Sequence, residues 1–328
     1  MNLTNRFHSW ALAALLQLAW GAAAADTVPA GDTGAEAAGG TEAPRAESAQ
    51  SSPWSGTLGV GTRYDSNVAI LDIDTRAGAA DYLAQLELGG AYTWNPAGGA
   101  RVRAGYDLSQ SLYSDYSNFN LRMHRLSLDA SHELAGSTAG VLGNWVHASL
   151  DGSEFMVFRQ VSPYLSRLVG QRLFLRGAYA WTDKSFADNP TRDADSHALS
   201  VDAFVFVDGL RTYLVFGARR DHERAVADRF DYDGTRLSAQ LVRRVEVGDR
   251  QLVTRARLRH ERRSYRAPDP SIGERRLDER TRLEGVVEVP LTERTGMRAS
   301  WEYSDNRSNL PAVDFSKHLV SLMFNASF

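Results

Sequence analysis

The chain ends in a strict alternation. Val320, Leu322, Phe324, Ala326 and Phe328 are apolar at every second position, with Lys317, Ser321 and Asn325 on the opposite parity. Successive side chains of a strand point to opposite faces, so this segment presents one apolar and one polar surface. A half-buried strand of a soluble sandwich has that form, and so does a strand separating lipid from a wet lumen. Recurrence decides between them. From Trp54 onward the pattern repeats in strands of about 12 to 16 residues, separated by breaks that alternate between tight and long.

The tight breaks are Asn95 to Gly99, Ala135-Gly136-Ser137, Gly170-Gln171, Asp208-Gly209, Gly248-Asp249 and Thr292 to Gly296. Each carries Gly, and most add Asn, Asp or Pro, the residues that hairpin turns require. The longer breaks fall at Ile70 to Ala80, Ser114 to Asn120, Gly152 to Phe155, Phe186 to Ser196, Glu223 to Phe230, Arg266 to Arg276 and Arg307 to Phe315. Six tight and seven long breaks predict fourteen strands. The expectation is therefore all-β: a transmembrane antiparallel outer-membrane β-barrel of about 14 strands over residues 53–328, with short periplasmic turns and longer outer loops. An even strand number puts both termini in the periplasm. None of these breaks is much longer than ten residues, unlike the inward loop that narrows obligate trimeric porins, so a monomer is the default expectation.

Facing is fixed strand by strand, because a one-residue slip exchanges the two faces. Leu86, Leu88, Tyr92 and Trp94 alternate with Gln85, Glu87 and Thr93; Val102, Ala104, Tyr106 and Leu108 alternate with Arg103, Asp107 and Ser109. Leu199, Val201, Ala203, Val205 and Val207 oppose Ser200 and Asp202, which places Phe204 and Phe206 inside. The segments Val141 to Leu150 and Val157 to Leu168 are ambiguous, with Asn144 and Arg159 the uncertain residues. Tyr92, Trp94, Tyr179, Trp181, Trp301 and Tyr303 sit near segment ends, where aromatic girdles belong. The mean hydropathy is negative, which excludes a helical membrane bundle but not a barrel with a polar inner face.

At the other end, Arg6 and His8 precede an apolar run from Trp10 to Trp20 and an Ala23-Ala24-Ala25 cleavage pattern before Asp26. Residues 1–25 read as a secretory signal peptide, since the run is about half of the ~20 residues that span a bilayer. The sequence contains no Cys, so neither a lipid-anchored thiol nor a disulfide framework is expected. Residues 26–52 carry five acidic residues against Arg45 and are otherwise mostly Ala, Gly, Thr, Ser and Pro. Such a segment cannot bury enough apolar surface to offset chain entropy and reads as a disordered periplasmic tail, either a spacer or a tether for a partner.

The most distinctive chemistry is a wall of arginine. Arg255, Arg257, Arg259, Glu261 and Arg263 share one face of their strand, opposite Leu252, Thr254, Ala256 and Leu258. Neighbouring strands add Arg236 and Gln240 on one side and Arg280, Arg282, Glu284 and Glu288 on the other. Unpaired buried charge is prohibitively costly, so a water-filled or ion-paired lumen is implied. Two readings stay open: a constriction that attracts anions, or an Arg/Glu lattice that stiffens and partly plugs the barrel.

Weaker signals point nowhere else. Asp228, Asp231 and Asp233-Gly234 have carboxylate spacing, but the twelve-residue calcium loop with its terminal Glu is missing. His124, His132, His147, His260 and His318 are raw material for catalysis without a G-x-S-x-G, a metal-type His pair or a Gly-rich phosphate loop, so neither an enzyme, a metal nor a cofactor is expected. Nucleic-acid binding is not expected, because the arginines alternate with lipid-facing residues and the formal net charge is -3. The expected partners are outer-membrane lipid and, through a C-terminal strand ending in Phe324 and Phe328, the barrel-assembly machinery.

Arg63-Tyr64-Asp65-Ser66-Asn67-Val68, Tyr232-Asp233-Gly234, the arginine strand through Arg263-Ser264-Tyr265, Arg280, Trp301-Glu302-Tyr303, Ser308-Asn309-Leu310 and Asp314 to His318 together resemble the C-terminal barrel of the surface lipoprotein assembly modifiers. The resemblance runs over roughly Trp54 to Phe328 on short motifs. It implies a barrel that helps translocate or display a protein or lipoprotein cargo at the surface. In that family a periplasmic helical repeat domain precedes the barrel, whereas here only the short segment from Asp26 to Ser52 does, so a separate periplasmic partner would be required. The alternative is a porin-like channel for small, anionic solutes, its charge preference set by Arg255, Arg257, Arg259 and Arg282.

Overall fold

The computed structural model describes residues 52–328; the expected signal peptide and all but the last residue of the expected tail lie outside the described residues. Fourteen long strands form a closed antiparallel barrel: β1 (Trp54–Asp65), β4 (Asp81–Trp94), β5 (Ala100–Tyr113), β6 (Leu121–Leu134), β7 (Ser137–Leu150), β8 (Ser153–Val169), β9 (Leu173–Phe186), β10 (Ala194–Asp208), β11 (Thr212–Ala225), β12 (Tyr232–Val247), β13 (Arg250–Asp269), β14 (Glu274–Pro290), β15 (Thr295–Ser308) and β16 (Phe315–Ser327). Each pairs with its neighbours in sequence, and β16 closes on β1, so no edge is left unpaired. Two short strands, β2 (Ala69–Ile70) and β3 (Thr75–Arg76), form a separate hairpin between β1 and β4.

The faces follow the alternation. On β16, Val320, Leu322, Phe324 and Phe328 are exposed to the outside, while Lys317, Leu319, Ser321 and Met323 are buried within. The same exterior carries Leu58, Leu88, Leu126, Leu165, Leu199, Leu237 and Leu258, an apolar belt that fits lipid rather than water. Phe204 and Phe206 lie inside, packed with Phe174, Tyr213 and Val242 near the terminal end of β9 to β12. The two ambiguous strands resolve with Asn144 inward, donating to Gln160, and Arg159 outward, paired with Asp183 at 2.6 Å.

Two expectations about connections are corrected. The break at Gly152 to Phe155 is a two-residue turn, Asp151 (φ 50°) and Gly152 (φ 80°), because Asp-Gly supplies the left-handed pair that a tight hairpin needs. The break at Arg266 to Arg276 is mostly strand, since β13 runs on to Asp269 and β14 begins at Glu274.

The barrel seam has its own lock. Lys317 of β16 and Asp65 of β1 are both fully buried, 3.3 Å apart, and the Tyr113 hydroxyl donates to the same carboxylate oxygen at 3.2 Å. Removing one member of such a pair strands a charge. Lys317→Met is expected to destabilise the barrel by about 3–5 kcal/mol, and adding Asp65→Asn should recover most of it. Urea midpoints of refolded single and double variants check this; equal midpoints for wild type and Lys317→Met would refute it.

Candidate functional site: an arginine-lined lumen under a folded-in loop

The wall forms because β13 alternates without a break. Arg255, Arg257, Arg259, Glu261 and Arg263 fall on one face, and in-register pairing sets Glu284 beside Arg257, Arg282 beside Arg259 and Arg280 beside Glu261. On the other flank Gln240 meets Arg257 and Arg236 meets Glu261. All eight residues expected to line the lumen, Arg236, Arg255, Arg257, Arg259, Glu261, Arg280, Arg282 and Glu284, therefore share the inner surface.

Their contacts are ionic. Arg255 meets Glu288 at 2.6 Å; Arg257 donates to Gln240 at 2.7 Å and lies 3.7 Å from Glu284. Glu261 accepts from Arg236 at 3.0 Å and Arg263 at 2.5 Å, and Arg282 lies 3.2 Å from Glu302. On β13 and β14, seven inward arginines (255, 257, 259, 263, 276, 280, 282) share the inner face with five carboxylates (261, 269, 278, 284, 288), and Glu302 of β15 and Asp74 of the β1–β4 connection add two more. Arg259 and Arg282 stand directly opposite each other. Like charges opposed across strands are destabilising unless surrounding groups compensate, and Glu302, 3.2 Å from Arg282, is such a group.

The mouth away from the termini is crossed by residues 66–80, which connect β1 to β4. This corrects the expectation that no connection is much longer than ten residues: strand β1 stops at Asp65 and β4 begins at Asp81, so the connection is longer than the sequence break suggested. Val68 and Ile70 are buried against Leu83, Tyr113 and Phe119. Ala69 and Leu71 pack on Leu310, Val313 and Phe315 from the β15–β16 side. Ile73 reaches the cluster of Leu121, Val146, Met156, Phe158 and Phe186 on β6 to β9.

Ion pairs pin the tip of the loop. Asp74, in a left-handed conformation at φ 53°, binds Arg192 of the β9–β10 connection through one carboxylate oxygen and Arg276 of β14 at 3.0 Å through the other. Arg192 also donates to the Asp72 carbonyl at 2.7 Å. The Asp72 carboxyl is raised above its ordinary range, because burial outweighs the opposite pull of Lys184, Arg263 and Arg280. Sequence reading missed Asp72, Asp74, Arg192 and Arg276. The available signal was the run Val68-Ala69-Ile70-Leu71, too apolar for a loop meant to lie in water.

Other expected features fall outside the lumen. Phe324 and Phe328 point outward; Gly56 and Phe328 exchange backbone hydrogen bonds at 2.8 and 3.1 Å, and a Cβ on Gly56 would strike the Phe328 ring. Asp231 caps the Ala225 amide and Asp233 pairs with Arg266, so these carboxylates do not converge on a cation. His124, His147 and His318 lie on the exterior among the aromatics, and His260 lies there within hydrogen-bond distance of Thr281.

No protein-family model matches the chain, and no curated protein does. Solved structures with a related outline include the anion-selective porin from Comamonas acidovorans, at 11% identity over 84% of this chain and 98% of that one, TM-score 0.47. OmpT of Vibrio cholerae aligns at 10% identity over 86% of this chain and 100% of that one, TM-score 0.48. OccAB3 of Acinetobacter baumannii aligns at 9% identity over 84% and 99%, TM-score 0.43. At such distances these likenesses assign no activity; the architecture rests on the strand order and faces described above.

Proposed function

We propose that this outer-membrane barrel is a channel for small anionic solutes, with both termini in the periplasm and loop 66–80 as the cover of its outer mouth. The observation that carries the reading is the density of inward arginines on β13 and β14, among them Arg255, Arg257, Arg259, Arg280 and Arg282, lying along the lumen beneath that cover. A positive wall in a narrow polar conduit raises the local concentration of anions and repels cations. The placement of the termini is supported by the short turns at their end of the barrel and the longer connections at the other. No catalytic step belongs to this reading. Assistance to a protein cargo, implied by the motif resemblance, ranks second, because the passage it needs is occupied by loop 66–80.

Single-channel recording of refolded full-length protein in planar bilayers tests the proposal. Discrete current steps with a reversal potential on the anion side under a KCl gradient are expected. Absence of steps across both polarities, or a cation preference, would overturn it.

A further inference from the structure

We propose that the outside of the barrel carries a clasp for the phosphate of an anionic lipid headgroup, formed by the cross-strand row Arg220, Thr235 and Arg262. Arg220 on β11 pairs in register with Thr235 on β12, which pairs with Arg262 on β13. All three lie on the outward parity, Arg220 being the register partner of the exposed Leu199.

The two guanidinium groups are largely open, with side-chain exposures of 63% and 57%. Alternate strands stand roughly 10 Å apart, a gap that two arginine side chains close around one phosphate. The hydroxyl between them is already oriented: Thr235 Oγ1 accepts from Arg220 at 2.7 Å, which leaves its own hydrogen to donate outward.

Neighbouring carboxylates are mostly engaged elsewhere. Asp233, two residues along β12, lies 3.8 Å from Arg220 but is held by Arg266 through hydrogen bonds of 2.9 to 3.2 Å. His222 also points at it, 3.3 Å away. Glu279 stands 3.7 Å from Arg262, too far for a hydrogen bond, and is itself exposed.

Below the row, past Ala218 and the exposed His260, the wall turns apolar, with Leu237 55%, Leu258 50% and Phe216 47% exposed. A basic clasp above an apolar wall matches a molecule with a phosphate at one end and acyl chains at the other. Free phosphate satisfies only the upper half of this surface, so a lipid is the committed ligand.

The test is native mass spectrometry of the intact barrel in detergent, titrated with dioleoyl phosphatidic acid or dioleoyl phosphatidylcholine. Wild type should retain phosphatidic acid selectively. Each basic residue near a membrane surface contributes about 1 kcal/mol, so Arg220→Gln/Arg262→Gln should weaken retention roughly 10- to 30-fold. Arg262→Gln alone should fall between, and Arg122→Gln, on the outward face of β6, should leave retention unchanged. Wild-type retention by the double variant, equal retention of phosphatidylcholine, or full displacement by millimolar inorganic phosphate would each overturn the assignment. Both substituted side chains are more than half exposed, so the folded barrel should be preserved, which heat-modifiable gel mobility verifies.

Discussion

Asp74→Ala is expected to turn a mostly closed channel into a mostly open one. Asp74 ties the loop between β1 and β4 to Arg192 and Arg276 on the far side of the mouth, and those three side chains are 13%, 15% and 5% exposed. Breaking a buried pair costs about 3–5 kcal/mol, and the wet lumen together with the second partner of Arg276, Asp278 at 2.8 Å, reduces that here. A loss on the order of 2 kcal/mol shifts the closed-to-open ratio roughly 30-fold. Open-state dwell times in single-channel records should lengthen accordingly, with little change in the conductance of the fully open state. Unchanged gating in Asp74→Ala would show that the apolar contacts of Val68, Ile70 and Ile73 hold the loop without the ion pairs.

Acidification should act in the opposite sense, through Asp72. A carboxyl raised by burial costs the closed loop free energy while charged, and that cost disappears once it is protonated. The closed state is therefore favoured as pH falls from neutral through the raised value toward the ordinary carboxylate value of 3.8. Lys184, Arg263, Arg280 and Glu223 face Asp72 and set the size of the effect. Asp72→Asn should lengthen closed times at neutral pH and flatten the pH dependence. If acid instead opens wild type and Asp72→Asn equally, another group controls the loop.

The alternation alone made the strands and most of their faces legible, because lipid and a wet lumen demand opposite chemistry on adjacent residues. It was ambiguous at β7 and β8, and the structure gives the reason. Val146, Met156 and Phe158 face inward yet are apolar, since they receive Ile73 from the loop that enters the mouth. The same loop explains the misread connection: local pattern marks where a strand stops but carries no sign of where the following residues go. The β13 part of the arginine wall was legible because it follows from the parity of one strand, whereas Arg276 on β14 was not. Its partners needed the register, which joins Arg257 to Glu284 and Arg259 to Arg282 across the β13–β14 hairpin.

Arg257→Gln/Arg259→Gln should remove most of the anion preference. These substitutions remove two positive charges from the inner face of β13 while keeping polar side chains there. A charge about 6 Å from the path of a permeating ion contributes ~0.7 kcal/mol in a water-like dielectric, a factor of about 3. Because each charge acts oppositely on anions and cations, two such charges give a fall of up to about 100-fold in the anion-to-cation permeability ratio at low ionic strength. At 1 M salt the screening length is about 3 Å, so the difference between variant and wild type should nearly vanish there. That salt dependence separates an electrostatic role from a structural one. A lattice that merely stiffened the barrel would lose thermal stability on substitution and leave the reversal potential where it was at every salt concentration.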